Sequence, residues 1–266
     1  MPNSRWSCRL TGKEATSGGA QRKIEKDGYW YKIDTLGYEA FAEVLSYAVN
    51  RAYGYECLPY EIGMIEHGRK TSVGVQSKDY RAGGDAISLE QFLLKKDRIG
   101  YEALFYERNP ETKFRLLYTM TDRYTQLDTK DYFLNLFMTD FINGNPDRHL
   151  KNMEIIYKDG VYQMSPYFDY GLSWYVQDDV EQITPDNVEE AIESVAFRPF
   201  NLVGSRFYEF LMSVGATRPV RHRSIEDILA CFGVFEEFYP EGFLRERRLL
   251  VRKRLEYIDR LSGDFQ

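Results

Sequence analysis

Long apolar runs, paired cysteines and a basic charge excess are all missing from this chain of 266 residues. No run of about 18 apolar residues occurs, so no membrane span is expected, and residues 1–10 lack the apolar core of a signal peptide. The isolated Cys8, Cys57 and Cys231 exclude a disulfide framework and a cysteine metal motif. A net charge of −6 argues against nucleic acid as a partner. We expect a cytoplasmic protein, with secretion or delivery to a host left open.

Apolar and aromatic residues are plentiful instead. The chain is 43% hydrophobic and 15% aromatic, which is enough for a buried core and sets it apart from disordered proteins. Its length suits one large domain or two small lobes around a cleft.

The first third of the chain predicts strands and one helix. Residues 29–33 are aromatic and typical of a strand. Residues 38–51 carry apolar side chains at helical spacing. Two more strands are predicted at residues 61–65 and 71–76. This part of the chain therefore predicts a small β-rich lobe.

The remainder of the chain is predicted to be mainly helical. A polar stretch with two glycines, residues 77–85, marks the lobe boundary. Residues 1–77 then form the N-lobe and residues 78–266 a larger helical C-lobe. The C-lobe elements are helices at residues 89–94, 101–106, 114–124 and 131–142, a hairpin at residues 153–164, and further helices from residue 187.

A dense polar cluster follows the most apolar predicted helix. Residues 143–152 are Asn-Gly-Asn-Pro-Asp-Arg-His-Leu-Lys-Asn, and the glycine and proline prevent a smooth continuation of that helix. An acid, Asp147, thus stands among basic and amide side chains in a loop held by a rigid scaffold. Loops of this kind are where catalytic groups usually lie.

A second acid, Asp169, follows the predicted hairpin, with aromatic neighbours and a glycine two residues later. An Asp, an Asn five residues on and an Asp-x-Gly beyond a hairpin are typical of the catalytic and metal loops of kinases. Mg²⁺ prefers oxygen ligands. We therefore predict that Asp147 orients a hydroxyl while Asn152 and Asp169 hold Mg²⁺. His149 and Lys151, in the same loop, are further catalytic candidates.

These motifs resemble those of a known family. Residues 141–152 together with residues 164–169 resemble the HipA-like serine/threonine protein kinases, and the Asp-Arg-His segment is also similar to the loop of phosphoinositide lipid kinases. The resemblance implies an α+β, two-lobed protein-kinase-like fold with ATP and Mg²⁺ as cofactors. It also implies that Asp147 is the catalytic base and that Asn152 and Asp169 bind the metal.

The N-terminal half is similar to the same family. Residues 16–23 resemble its short glycine loop, in which backbone N–H groups at Ser17, Gly18 and Gly19 would cradle phosphates. Lys32, on the following strand, resembles the lysine that pairs with the ATP phosphates.

The resemblance further implies an acid on the first helix and a hinge strand. Glu39 best matches the acid that orients Lys32, and Glu43, one turn later on the same side, is its competitor. Backbone groups of Gln76, Ser77 and Lys78 would bind the adenine edge.

The chain also departs from the family pattern. It begins almost at the glycine loop, whereas HipA toxins carry an additional N-terminal subdomain, so a minimal kinase core is expected and a toxin role or antitoxin partner stays open. No Ala-Pro-Glu element follows Asp169, which argues against an activation segment of the eukaryotic type.

The leading hypothesis is an ATP-dependent serine/threonine protein kinase that phosphorylates a protein substrate and itself. Thr16, Ser17 and Ser77 are candidate self-sites. The alternatives are a small-molecule or phosphoinositide-like lipid kinase, and a nucleotide-binding pseudokinase or interaction module. Four intact polar residues, Lys32, Asp147, Asn152 and Asp169, argue against the last of these.

A basic stretch lies near the C-terminus. Residues 245–260 carry Arg247, Arg248, Arg252, Lys253 and Arg254, with apolar residues at helical spacing. The pattern predicts an amphipathic surface helix with a basic outer face. Contact of this face with an acidic partner or with nucleic acid is the alternative that remains open.

Overall fold

The computed structural model describes residues 7–10, 15–17, 23–67, 69–174 and 184–263. The strands are β1 (Ser7–Leu10), β2 (Ala15–Ser17), β3 (Lys23–Lys26), β4 (Tyr29–Ile33), β5 (Glu61–His67), β6 (Lys70–Lys78), β7 (Asp85–Ser88), β8 (Glu154–Lys158), β9 (Val161–Met164), β10 (Ala196–Phe197) and β11 (Leu202–Val203). The helices are α1 (Glu39–Ala52), α2 (Leu89–Lys96), α3 (Arg98–Tyr106), α4 (Pro110–Thr125), α5 (Lys130–Asn143), α6 (Val188–Ser194), α7 (Gly204–Ser213), α8 (Ile225–Leu229) and α9 (Glu241–Ser262). Short 3-10 helices cover Leu150–Asn152 and Ala230–Phe235.

The N-terminal sheet has the strand order β1-β5-β6-β4-β3-β2. Successive side chains of a strand point to opposite faces, and β4 has buried side chains on both faces of the sheet. Tyr31 and Ile33 pack with Ile24 and Ile65 in a small core on one face. Lys32 therefore points to the other face of the sheet.

Helix α1 packs on the face that carries Lys32. Its Phe41 and Leu45 are fully buried and share the main core with Val75 of β6, and Val75 is the cross-strand partner of Lys32. The apolar spacing of α1 thus fixes which of its side chains face the sheet. Acidic residues on that side of α1 are brought towards Lys32.

Helix α5 forms the centre of the C-lobe. It is apolar around most of its circumference, and Phe133, Phe137 and Phe141 are fully buried, as expected for a helix surrounded by protein. Gly144 adopts a left-handed φ of 63° and ends the helix. The chain therefore leaves a rigid element directly into the polar loop at residues 145–149.

The basic C-terminal helix α9 differs from its predicted form at Arg254. This side chain is fully buried, and its guanidinium donates to the carbonyl oxygens of Ile142, at 2.9 Å, and Phe141. A cation is favourable there because the carbonyl groups at a helix C-terminus lack intrahelical partners. Arg254 therefore belongs to the support of α5 and not to an exposed basic face.

Other basic side chains of α9 have acidic partners within the fold. Their ion pairs are Arg248–Glu236, Arg252–Glu226, Lys253–Glu256 and Arg260–Glu189. An acidic partner for this face stays a prediction, and it would have to compete with these internal carboxylates.

Two short elements were missed by the sequence patterns. Strand β7 lies at the end of the polar stretch and pairs with β8, and the β10–β11 hairpin interrupts a region predicted to be helical. Two-residue strands are too short to show a period-2 pattern, and a four-residue strand such as β7 is at the lower limit for one. No helix within the described ranges is both long enough and apolar enough to span a membrane.

Candidate active site

Lys32 lies at the centre of a buried charge cluster between the lobes. Its ammonium is 2.5 Å from Glu43 Oε1 and 2.9 Å from Asp169 Oδ1. Burial by itself lowers the pKa of Lys32, but the carboxylates of Asp169 and Glu43 outweigh this effect and raise it well above its ordinary value. Lys32 is therefore held as a cation where strand β4, helix α1 and the Asp169 loop meet.

The acid that pairs with Lys32 is Glu43, and the expectation of Glu39 is corrected. Glu39 Oε2 instead accepts hydrogen bonds from the N–H groups of Thr35 and Leu36, at 2.8 and 3.2 Å. Glu39 is the first residue of α1, where loop N–H groups need acceptors, whereas Glu43 lies one turn deeper, beneath β4. Glu43 Oε2 also accepts the Tyr170 N–H at 3.0 Å, so this acid joins α1 to the Asp169 loop.

Asp169 has a left-handed backbone with φ of 68°. Its Oδ2 lies 3.6 Å from Lys23 Nζ, while Oδ1 accepts from Lys32. Burial raises the pKa of Asp169, but the two lysines more than offset this and hold it well below its usual range. Asp169 is therefore an anion with 19% of its side chain still exposed, open to a further cation.

Lys23 was not predicted as a site residue. It is directly opposite Lys32 across the antiparallel β3–β4 pair, where like charges are destabilising unless a counter-ion lies between them. The sequence does contain two lysines close to a glycine pair. Their approach to each other could not be predicted, because it depends on the register of β3 on β4.

Arg148 joins the two loops of the site. It is fully buried, and its Nε and Nη2 donate to the Asp140 carboxylate at 2.9 Å. Its Nη1 donates to the carbonyl oxygens of Asn152, at 3.0 Å, and Phe168, at 2.6 Å. One guanidinium therefore fixes the backbone of the residue predicted to bind metal and of the residue before Asp169.

The charge of Arg148 is secured by its partner. Burial opposes that charge, but the Asp140 carboxylate outweighs the burial and raises the pKa of Arg148 above its ordinary value. Asn145 Nδ2 donates to the same carboxylate at 2.8 Å. The sequence motif contained Arg148 and Asn145, but their inward direction was visible only in the structure.

Asp147 and Asn152 lie together in the loop after α5. Asn152 Nδ2 donates to the Asp147 carbonyl oxygen at 3.2 Å, so the amide oxygen Oδ1 is the atom that it can offer to a metal. Asp147 Oδ1 accepts from Arg198 Nη1 at 2.8 Å. Arg198 belongs to the turn between β10 and β11 and was not predicted from the sequence.

The other two catalytic candidates lie further from these contacts. His149 Nε2 is 3.8 Å from Asp147 Oδ2, beyond a hydrogen bond. Lys151 is 63% exposed, and its Nζ lies 3.6 Å from Glu90 Oε2 of α2. The structure therefore places His149 beside Asp147 and Lys151 beside Glu90 of α2. Catalytic roles for both stay predictions.

The predicted hinge strand is the end of β6. Pairing with β5 stops at Gln76, whereas pairing with β4 continues to Lys78. The Gln76 side chain donates to Glu61 on the exposed surface. Ser77 is buried, which disfavours it as a self-phosphorylation site. An adenine contact by backbone groups at residues 76–78 stays a prediction.

The glycine-loop prediction falls largely outside the described residues. Gly18 and Gly19 are not among them, and only the backbone of Ser17, as the end of β2, is described. That strand pairs with β3, Ser17 opposite Lys23. Ser17, near the start of the predicted loop, is thus the cross-strand neighbour of Lys23, whose ammonium lies 3.6 Å from Asp169 Oδ2.

The donor chemistry of the site fits Mg²⁺ held jointly with phosphate oxygens. Within the described parts of the chain, no group of three or more His, Cys, Asp and Glu side chains is placed to hold a metal. Asp169 and Asn152 offer two oxygen ligands. Mg²⁺ is commonly held by one or two carboxylates plus substrate phosphates. The residues present therefore suit a metal that arrives with a nucleotide.

Comparisons with known proteins find likeness in structure alone. No family model matches the chain, and no curated protein matches it. Among solved structures, the Helicobacter pylori proinflammatory kinase CtkA aligns with a TM-score of 0.73 and 18% identity, covering 98% of this chain and 98% of that chain. HipA of a Shewanella oneidensis toxin–antitoxin system, in complex with HipB and operator DNA, aligns with a TM-score of 0.45 and 12% identity, covering 100% of this chain and 70% of that chain.

The likeness to CtkA over nearly the whole of both chains identifies the fold. The predicted α+β, two-lobed protein-kinase-like fold is confirmed.

Proposed function

We propose that this protein is an ATP-dependent serine/threonine protein kinase of the HipA-like type that also phosphorylates itself. The observation that carries the proposal is the bridge made by Lys32, whose ammonium contacts Glu43 of α1 and Asp169 of the loop 137 residues away. Protein kinases need a strand lysine paired with a helix glutamate, and a metal-loop aspartate that holds Mg²⁺, for phosphate transfer, and this contact places all three side chains together. The fold shared with CtkA, named as a kinase, supports the same proposal.

Each side chain then has a defined task. Lys32 and Lys23, both beside Asp169, bind phosphate oxygens of ATP. Asp169 and Asn152 would hold Mg²⁺, which when bound neutralises phosphate charge. Asp147 orients the acceptor hydroxyl and accepts its proton, for which a carboxylate at the loop after α5 is suited. Because ATP is supplied in the cytoplasm, the proposal includes a cytoplasmic location for this activity.

The proposal is tested by nucleotide-dependent stability and by label transfer. Mg-ATP at about 100 times its Kd should stabilise the folded protein by about 2.7 kcal/mol, and ATP with EDTA should give a smaller shift. Incubation with γ-labelled ATP should then place label on the protein itself or on an added acceptor protein at serine or threonine, as located by mass spectrometry.

The outcomes of that experiment separate the alternatives. Label that appears only on a metabolite or lipid of a cell extract would indicate a small-molecule or lipid kinase. Mg-ATP stabilisation with no transfer to any acceptor would indicate a nucleotide-binding module. No stabilisation by Mg-ATP would contradict every nucleotide-based function.

The two glutamates of α1 provide a matched pair of variants. Glu43→Gln removes the charge that orients Lys32, so we expect transfer to fall by about 100-fold, the scale of a misplaced catalytic group. Glu39→Gln removes a carboxylate that, within the described residues, accepts from the loop at Thr35 and Leu36 and not from Lys32, so transfer should stay near that of the unchanged protein. The measurement is the rate of label transfer by each variant at saturating Mg-ATP. Equal losses of rate in the two variants would contradict the pairing of Glu43 with Lys32.

Asp169→Asn should separate metal binding from folding. The variant keeps the shape of the side chain and the Lys32–Glu43 pair but loses the anionic metal ligand. We expect the Kd for Mg-ATP to rise at least about 10-fold, the loss seen when even a supporting group of a metal site is removed. Titration calorimetry with and without Mg²⁺ measures this. An unchanged Mg²⁺ dependence would exclude Asp169 as a ligand.

A further inference from the structure

We propose that Arg198 is a positioning residue that holds the Asp147 carboxylate in its working orientation, an inference that rests on the proposed kinase function. Arg198 Nη1 donates to Asp147 Oδ1 at 2.8 Å across 51 residues of sequence. Neither the loop motif nor the family resemblance includes a residue from this part of the chain.

The turn that carries Arg198 is anchored on both sides. Phe197, the residue before it, is fully buried and stacks on Phe207 with ring centroids 4.5 Å apart. Phe200, two residues after it, is buried with its ring centroid 4.8 Å from that of Phe210. Two aromatic anchors within four residues fix the backbone at Arg198, so its guanidinium reaches the cleft from a rigid base.

The contact divides the two oxygens of Asp147 between different tasks. Arg198 occupies Oδ1, whereas Oδ2 lies 3.8 Å from His149 Nε2, longer than a hydrogen bond. Oδ2 is thus the oxygen directed to an acceptor hydroxyl. The neighbouring arginine cannot replace Arg198, because Arg148 is buried and committed to Asp140.

The Arg198–Asp147 pair is a poor candidate for a purely structural contact. Arg198 exposes 59% of its side chain and Asp147 exposes 29%, and pairs this exposed contribute little to stability. The Arg252–Glu226 pair, which joins α9 to α8, is similar, with one Nη1 contact at 2.7 Å, but lies outside the cleft. It provides a matched control.

The test compares Arg198→Ala, Arg198→Lys and Arg252→Ala with the unchanged protein. Initial rates of label transfer from γ-labelled Mg-ATP to the protein itself are measured, together with the ATP concentration at half-maximal rate. We expect the maximal rate of Arg198→Ala to fall about 10- to 100-fold, with half-saturation changed by less than about twofold. Arg198→Lys should keep an intermediate rate, and Arg252→Ala should keep the full rate.

Chemical rescue provides a readout that a structural role would not move. Because Arg198 is exposed, methylguanidinium at millimolar concentration can enter the space left in Arg198→Ala and donate to Asp147. We expect it to restore part of the rate in Arg198→Ala and to leave Arg252→Ala unchanged.

Contrary outcomes overturn different statements. If Arg198→Ala transfers phosphate as fast as Arg252→Ala while Asp147→Asn is inactive, the positioning role is wrong and the kinase assignment stands. The positioning role would also be overturned if Arg198→Ala lost rate together with a large drop in melting temperature, Arg198→Lys kept no intermediate rate and methylguanidinium gave no rescue. If Asp147→Asn keeps full activity, the catalytic assignment falls and the role of Arg198 falls with it.

Discussion

Asp147→Asn will lower the rate of phosphate transfer by about 10²- to 10⁴-fold, the usual contribution of a general base, while Mg-ATP still binds. An amide has nearly the shape of the carboxylate and can still accept from Arg198 at the position of Oδ1. It cannot take a proton from an acceptor hydroxyl. The variant therefore changes one chemical property and keeps the contact that positions the group.

The measurement is label transfer at saturating Mg-ATP, together with the Kd for Mg-ATP from calorimetry. Asp259→Asn is the matched control, because Asp259 Oδ2 also accepts from one arginine, Arg221 Nη2, at 2.7 Å and is similarly exposed, at 21%. We expect Asp259→Asn to keep its transfer rate. Full activity in Asp147→Asn would remove Asp147 from the catalytic site.

Arg148→Met should give the largest loss of stability among single changes at the site. Arg148 and Asp140 are both buried to at least 99% of their side chains, and removal of one partner leaves a buried charge without compensation. Such changes cost about 3–5 kcal/mol, a large share of the roughly 5–15 kcal/mol that stabilises a domain. The free energy of unfolding from denaturant titration measures the loss.

A second substitution separates the effect of the unpaired Asp140 charge from the loss of the hydrogen bonds by which Arg148 joins the two loops. Asp140→Leu in the Arg148→Met background removes the unpaired carboxylate, so part of the lost stability should return, because buried ion pairs can often be replaced by apolar residues. Transfer should stay low, since the carbonyl oxygens of Asn152 and Phe168 still lack their common donor. A single Arg148→Met variant that unfolds like the unchanged protein would contradict this account of the loops.

Much of the fold was predictable because its signals are local. The helical spacing of residues 38–51 and 131–142 predicted α1 and α5, and strand-like residues 29–33 predicted β4. Buried side chains recur at the period of the element that carries them, so long elements are visible in the sequence. The β10–β11 hairpin was missed because its two-residue strands are shorter than any period.

The candidate site also contains residues that the sequence predicted and residues that only the structure revealed. The loop motifs singled out Asp147, Asn152 and Asp169, the family resemblance added Lys32, and the structure brings Lys32 to 2.9 Å from Asp169. The choice between Glu39 and Glu43 was not predictable, because both lie on one side of α1 and only the height of the helix against β4 distinguishes them. Lys23 likewise depended on the register of β3 on β4.

The sequence by itself therefore determined the order of the long elements and the chemical identity of the loop residues, since apolar periodicity and short motifs are properties of neighbours along the chain. The tertiary structure alone decided which charges meet: Lys23 beside Asp169, Arg148 between two loop carbonyls, and Arg198 on Asp147. Each of these contacts depends on packing angles, strand register and side-chain direction. Those quantities are set by the whole core and not by any single segment.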